Sequence, residues 1–216
     1  MSPPILFDMD GVILEGARTP LSVYRDATGD ALVDLGVEPS PDQRRVLDGH
    51  DIERITDHSH DLGIDPVRYW KLRERYASER THDRIRSGVR GLYDDVDAIA
   101  DLGERTSISL VSNNRQQTVE FVADYVEVEF DVVRGRDPTF EGFRRRKPNP
   151  YYIEESLAEL GAETGIYVGD SQTDVEAGHA AGLETALIRR PHNRDLECPD
   201  PPTEELESLR ELLDFV

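Results

Sequence analysis

The chain has 216 residues, enough for one ordinary domain or one domain plus a small insert, and a chain of this length buries roughly 70% of its unfolded surface. At 37% hydrophobic and 32% charged it is too apolar and too periodic to be disordered, and no apolar run approaches the about 20 residues of a membrane helix. Forty-five Asp and Glu against 25 Lys and Arg give a net charge of −20, which argues against nucleic acid as a partner, because phosphate backbones bind positive surfaces.

In chain order, Ile5-Leu6-Phe7-Asp8-Met9-Asp10-Gly11-Val12 is an apolar run that stops at acid-x-acid-Gly, the pattern of a buried strand ending in a loop. From about Thr19 to Ser87 helical spacing dominates, with Leu21, Val23 and Tyr24, then Leu32, Val33 and Leu35, then Pro66–Tyr76. Pro39, Pro41, Gly49 and Gly63 punctuate it. After Gly88 the spacing predicts alternation. Helices are expected at Leu92–Leu102, Gln116–Tyr125, Pro150–Leu160, Asp174–Ala181 and Glu204–Leu213. Strands are expected at Ser107–Ser112, Phe130–Arg134, Gly165–Gly169 and Thr185–Arg189. Such alternation predicts an α/β fold with a parallel sheet between helices, built from residues 1–16 and 88–216, with 17–87 an all-helical insert. Glu197–Thr203 reads as a Pro-rich acidic linker.

Ligands of open α/β sheets sit at the carboxyl ends of the strands. The first strand places Asp8 and Asp10 there, the second Ser112 and Asn113, a loop after the third Lys147, and the fourth Asp170 with Asp174 four residues on. Four carboxylates on one rim repel each other unless a cation sits among them. The candidate ligands are hard oxygens with no His or Cys accompanying them, which selects Mg²⁺ over zinc or copper. A lysine and a hydroxyl facing that ion suit phosphate oxygens. Taken singly these features are weak, since Asp-x-Asp pairs commonly sit in turns or helix caps and most lysines are surface residues. Order, spacing and the shared strand-end position carry the reading.

With those residues in hand, the chain resembles the haloacid dehalogenase superfamily. Phe7-Asp8-Met9-Asp10-Gly11-Val12 is similar to its first motif and Leu110-Val111-Ser112-Asn113 to its second. Lys147-Pro148-Asn149-Pro150 is similar to its third, and Val168-Gly169-Asp170-Ser171-Gln172-Thr173-Asp174 to its fourth. Ala180-Ala181-Gly182 also has the family's look, and the subgroup it resembles is the phosphoglycolate phosphatase and β-phosphoglucomutase type. Val12-Ile13-Leu14-Glu15-Gly16 departs from the usual sequence after the first motif, on the way into the insert. The resemblance implies a Rossmann-like three-layer sandwich, strand order 5-4-1-2-3, with a helical cap. It implies a Mg²⁺-dependent phosphatase for a small phosphorylated metabolite. Asp8 would be the nucleophile, forming an aspartyl-phosphate, and Asp10 the acid and base. Asp8, the Asp10 carbonyl, Asp170 and Asp174 would hold the metal, while Ser112, the Asn113 backbone N–H and Lys147 hold phosphoryl oxygens. A phosphomutase is the alternative. A haloacid dehalogenase has no use for Asp10 or for the Asp170/Asp174 pair. A phosphonate hydrolase would need an insert lysine, for which Lys71 is the only candidate. A non-catalytic phosphate-binding protein is the reading from another class. Arg44, Arg45, His50, Arg54 and Lys71 are the insert's candidates for facing a substrate.

Only two of the 25 basic residues are lysine, Lys71 and Lys147. Lysine is thus kept at 147 directly after Arg144-Arg145-Arg146, the only basic cluster and too short for a nucleic-acid footprint. The single Cys198 permits no intrachain disulfide, and Met-Ser-Pro-Pro shows no secretory signal, so the cytoplasm is the expected compartment. The acid-rich, lysine-poor composition resembles that of proteins from salt-in halophiles, whose carboxylates rely on ambient salt for screening. The melting temperature is therefore expected to rise between low and molar KCl; one indifferent to salt contradicts that reading.

Overall fold

A computed structural model describes residues 2–216. Six parallel strands form one sheet: β1 (Ile5–Phe7), β2 (Ile108–Arg115), β3 (Val132–Arg136), β4 (Ile166–Gly169), β5 (Glu184–Ile188) and β6 (Glu204–Leu206). Their spatial order is β3-β2-β1-β4-β5-β6, the expected order with one strand added at the edge. β1 is central because it is apolar on both faces. Ile5 and Phe7 join Val119, Val122, Ile99 and Leu102 on one side, while Leu6 joins Tyr152, Ile153, Leu157 and Ala177 on the other. All three residues of β1 are fully buried, each worth about 2 kcal/mol of apolar burial. The layers come from α5 (Ala98–Gly103) and α6 (Gln116–Val126) on the first face, and α8 (Tyr151–Leu160) and α9 (Gln172–Ala180) on the second. Among the described residues no helix is long and apolar enough to cross a membrane.

Between β1 and β2 lie α1 (Leu21–Leu35), α2 (Pro41–Leu47), α3 (Ile52–Asp61) and α4 (Pro66–Arg86). Ser40 and Gln43 form a capping box at α2, and Asp51 and Asp65 cap α3 and α4. The buried face of α1 is Val23, Ala27, Thr28, Ala31 and Leu32, mostly small residues packed on α4. Leu21 and Val33, two of the apolar residues in that helical spacing, are exposed. Ala31, Leu32, Leu47, Ile55, Tyr69 and Trp70 form the core of this unit, and Phe143 completes it. Phe143 comes from α7 (Phe140–Arg144), a short helix that the periodicity does not announce.

Two expected helices are corrected. The helix expected over Leu92–Leu102 is confined to Ala98–Gly103, because the residues before it pair with the loop after β1: Glu15 N–H donates to the Gly91 carbonyl (3.0 Å) and Tyr93 N–H to the Ile13 carbonyl (3.1 Å). The helix expected over Glu204–Leu213 is an edge strand followed by a 3₁₀ turn at Leu209–Asp214. Glu204–Leu206 adds to Ala186–Ile188 in register, with only Leu206 turned inward, so three residues are too few to show strand periodicity.

Buried charges fasten the helical unit to the sheet. Arg136, at the end of β3, pairs with Glu74 of α4, and both are almost completely buried. Burial alone would raise the Glu74 carboxyl; Arg136, then Arg115 and Arg73, outweigh this and hold it below the usual carboxylate range. Glu74→Gln, which leaves those cations uncompensated, is expected to cost about 3–5 kcal/mol of stability in urea unfolding. Asp42→Ala, which frees the exposed Arg45, should cost little. Equal small losses would contradict this account of the seam.

Candidate active site

The carboxyl ends of β1, β2 and β4 meet at one rim. Asp8 follows β1 directly, and its N–H donates to the Val168 carbonyl of β4 at 2.8 Å, which fixes its place beside Gly169 and Asp170. Gly11 is in the left-handed region (φ 78°), and a Cβ there would fall 1.9 Å from Asp170 Oδ2. Only glycine lets the loop pass that closely. Gly169 serves α9 in the same way, since a Cβ on it would lie 2.2 Å from the Asp174 Cβ.

Three carboxylates converge: Asp8, Asp170 and Asp174 each offer an oxygen, all within 4.8 Å of one another, and all three residues are buried. The Lys147 ammonium stands among them, 2.9 Å from Asp8 Oδ1 and 2.6 Å from Asp174 Oδ1. Lys147 is only 7% exposed and sits on the Tyr167 hydroxyl (2.6 Å), which in turn donates to the Val111 carbonyl (2.8 Å). Its backbone is held as well: Lys147 N–H donates to Asn113 Oδ1 (2.7 Å), and Asn113 Nδ2 donates to the Lys147 carbonyl (3.2 Å). Burial opposes the charged ammonium, but Asp174, Asp8 and Tyr167 outweigh it and hold Lys147 well above its ordinary value. Asp174 Oδ2 caps α9, accepting from the N–H groups of Asp170 (3.3 Å) and Ser171 (3.1 Å) and from Ser171 Oγ (2.5 Å). Ser112 is buried, and its Oγ accepts from Asn114 N–H at 3.3 Å.

Asp10 does not join the other three carboxylates. Its side chain turns to Arg90, whose NH1 donates at 2.8 Å, and to Asn114 Nδ2 at 3.0 Å. Arg90 also donates to the carbonyls of Glu15 and Gly16, both at 2.8 Å, so one guanidinium ties Asp10 to the chain entering the helical unit. The clustered ligand atoms come from aspartates alone, while His192 Nε2 lies 2.5 Å from Asp170 Oδ2. Asn193 Nδ2 donates to the Asp170 carbonyl at 2.7 Å. Burial, then Arg190 and Arg90, lower His192 and favour its neutral form. Arg90, Asn114, Tyr167 and His192 escape sequence reasoning because each reaches its partner across the fold. Of the five insert candidates, only His50 lines the cavity beside Lys147. Arg44 pairs with Asp48 and Arg45 with Asp42.

Three buried carboxylates share one lysine, so the cluster lacks positive charge. Burial, then Asp174 and Asp8, push Asp170 up to about 9; burial is also the main reason Asp8 rises to about 6, with Lys147 opposing it. Asp8 Oδ1 is buried with no directed hydrogen bond beyond its ion pair. A small divalent cation with a taste for hard oxygen fits this donor set. In the metal-free protein the native state keeps protons that the unfolded chain has already released. Its stability should therefore fall as pH rises from about 4 towards 9, by ~1.4 kcal/mol per pH unit per group. Asp170→Asn should flatten that fall, and added Mg²⁺ should raise the melting temperature more at pH above about 8 than below about 6. The same slope in wild type and Asp170→Asn would contradict the raised Asp170.

The chain is similar to known proteins. A family profile described as haloacid dehalogenase-like hydrolase matches residues 5–188. A phosphoglycolate phosphatase of Aquifex aeolicus is 27% identical over 194 residues, 85% of this chain and 83% of that one. Pyrophosphatase PpaX of Halalkalibacterium halodurans is 24% identical over 226 residues, covering 98% and 95%. Among solved structures, CbbY of Rhodobacter sphaeroides in complex with phosphate has a TM-score of 0.65 at 21% identity, covering 98% of this chain and 96% of that one. The likeness to that structure is one of fold. The match across both pieces of the α/β unit establishes that this chain belongs to the haloacid dehalogenase-like hydrolases.

Proposed function

We propose that the protein is a phosphatase for a small phosphorylated metabolite, working through an aspartyl-phosphate on Asp8. The observation that carries this reading is the Lys147 ammonium fixed against Asp8 inside a cluster of three buried carboxylates at the strand ends. Relatives named phosphoglycolate phosphatase and pyrophosphatase support it. Asp8, the Asp10 carbonyl and Asp170 would hold Mg²⁺, with Asp174 beside them; when bound, the ion supplies positive charge at the transferring phosphoryl group.

The chain's own residues divide the remaining work. The Asp8 carboxylate attacks phosphorus, the bond from phosphorus to the leaving alcohol oxygen breaks, and Asp10 gives that oxygen a proton. Asp10 then takes a proton from water, the water oxygen attacks phosphorus, and the bond to Asp8 breaks to release phosphate. Arg90 and Asn114 both donate to Asp10 and so fix the direction of its carboxyl group. Lys147, Ser112 and the Asn113 N–H offset charge on the phosphoryl oxygens. Asp174 acts through its neighbours, orienting Lys147 and the start of α9. Residues 17–87 act as a cap that closes over the rim and selects the alcohol. A dehalogenase would leave Asp10 and the Asp170/Asp174 pair without work. A phosphomutase shares every residue so far described and differs in how long the phosphoenzyme survives.

Turnover of phosphate monoesters with Mg²⁺ is expected to vanish on exhaustive chelation and in Asp8→Asn, with the fold intact by circular dichroism. Lys147→Arg should lose about 100-fold in kcat/KM although it keeps the charge, because a planar guanidinium cannot replace a compact ammonium between Asp8, Asp174 and Tyr167. Arg145→Lys, on the surface and paired with Glu141, should keep normal turnover. Substantial turnover by Asp8→Asn would sink the covalent mechanism.

A further inference from the structure

Four guanidinium groups meet at the seam between the helical unit and the sheet: Arg73 of α4, Arg115 at the end of β2, Arg136 at the end of β3, and Arg146 beside Lys147. Glu74 pairs with Arg136. Among the described residues none of the other three forms an ion pair. In a chain of net charge −20 this seam reverses the average. Arg115 is satisfied by neutral partners, donating to Ser78, Tyr24 and Thr81. Arg73 is fully buried; its NH2 reaches the Asp48 carbonyl at 3.3 Å, but its Nε and NH1 have no partner. Arg146 lies over the Phe143 ring, 3.3 Å from its centroid, and donates through Nε to the Phe143 carbonyl at 2.8 Å. Its two terminal nitrogens make no hydrogen bond to any described residue. Burial, then Arg136, lower it to about 10, so it remains a cation at neutral pH.

Arg146 opens onto a cavity of about 460 Å³ that begins at Lys147, within the range of small-molecule sites. His50 also lines it, stacked on Phe143 (5.6 Å, 8° between planes) and edge-on to Tyr24 (5.1 Å). Burial, then Arg73 and Arg146, push it down to about 4, so it is neutral and feels both arginines. Asp51 and Glu53 also line it and are exposed, and Asp51 is occupied in capping α3.

We propose that this cavity is the leaving-group subsite and that Arg146 binds a second anionic group there, a carboxylate or a phosphate. The substrate class is then a phosphate monoester whose alcohol carries another anion. This rests on the phosphatase reading for the phosphoryl end alone. A guanidinium with two free terminal nitrogens matches such an anion in bidentate fashion. A partly buried cation without a counter-ion is unfavourable until an anion enters, whereas the hydroxyls of an uncharged sugar would leave it uncompensated.

The test compares matched pairs: phosphoglycolate against its amide, and a sugar bisphosphate against the sugar monophosphate. Wild type is expected to favour the anion-bearing member by about 100-fold in kcat/KM, in the range of hydrogen bonds to charged groups. Arg146→Gln should remove most of that preference, chiefly through KM, and cost the neutral member far less; Arg145→Gln should leave the preference intact. The pair showing the larger ratio assigns carboxylate or phosphate. A second readout needs no turnover: malonate should raise the melting temperature of wild type but not of Arg146→Gln. Equal turnover of both members by wild type, or equal losses on both in Arg146→Gln, overturns the subsite and leaves the phosphatase reading standing. If no monoester is hydrolysed, the phosphatase reading falls and the malonate shift alone decides: present only in wild type, it supports the subsite; absent from both proteins, it overturns it.

Discussion

One ammonium group organises the rim. Lys147 touches Asp8, Asp174 and Tyr167 at once, and each of those belongs to a different part of the fold. Asp8 ends the central strand, Tyr167 belongs to its neighbour β4, and Asp174 opens α9. The Asn113 side chain fixes the Lys147 peptide from the end of β2. Strand order, the close approach of Gly11 to Asp170 and the capping of α9 all therefore serve one constraint: a buried positive charge must be met by carboxylates from several elements. Three carboxylates against one lysine leave a deficit, which protons fill in the metal-free protein and the proposed divalent ion would fill when bound.

A second electrostatic arrangement lies above the first and has the opposite sign. The seam gathers arginines around Glu74, although the chain as a whole is strongly acidic. Guanidinium groups suit this place. Arg115 can donate in three directions to hydroxyls, and Arg73 and Arg146 can lie over aromatic rings while remaining charged. Of the two lysines, Lys147 stands where a compact charge must fit between two carboxylates. Arg90 joins the two arrangements, because it holds Asp10 at the rim and the Glu15–Gly16 carbonyls at the entry to the helical unit.

Much of the rim was legible in the sequence because its residues sit at strand ends, where an apolar run stops at a polar group. Asp8 and Asp170 stand at the rim for that local reason, Ser112 lies within β2 near its end, and Lys147 comes from the loop after α7; alternation pointed to a parallel sheet, and the resemblance implied its strand order. What was not legible depends on distance along the chain. Arg90 meets Asp10 across 80 residues, and His192 meets Asp170 from beyond the next strand. Arg146 looked like one of three surface arginines, yet Phe143 turns it towards the cavity. The strand Glu204–Leu206 was hidden because two of its three residues face solvent.

The most direct measurement is chemical trapping of the phosphoenzyme. The Mg²⁺-loaded protein would be mixed with substrate, quenched during turnover and reduced with borohydride, which converts an acyl phosphate on aspartate to homoserine. Peptide mass spectrometry would then locate the change. The account predicts homoserine at position 8 and at no other aspartate, dependent on both substrate and metal. Sustained phosphate release with Asp8 unmodified throughout, or a phosphoryl group trapped on another side chain, would contradict it.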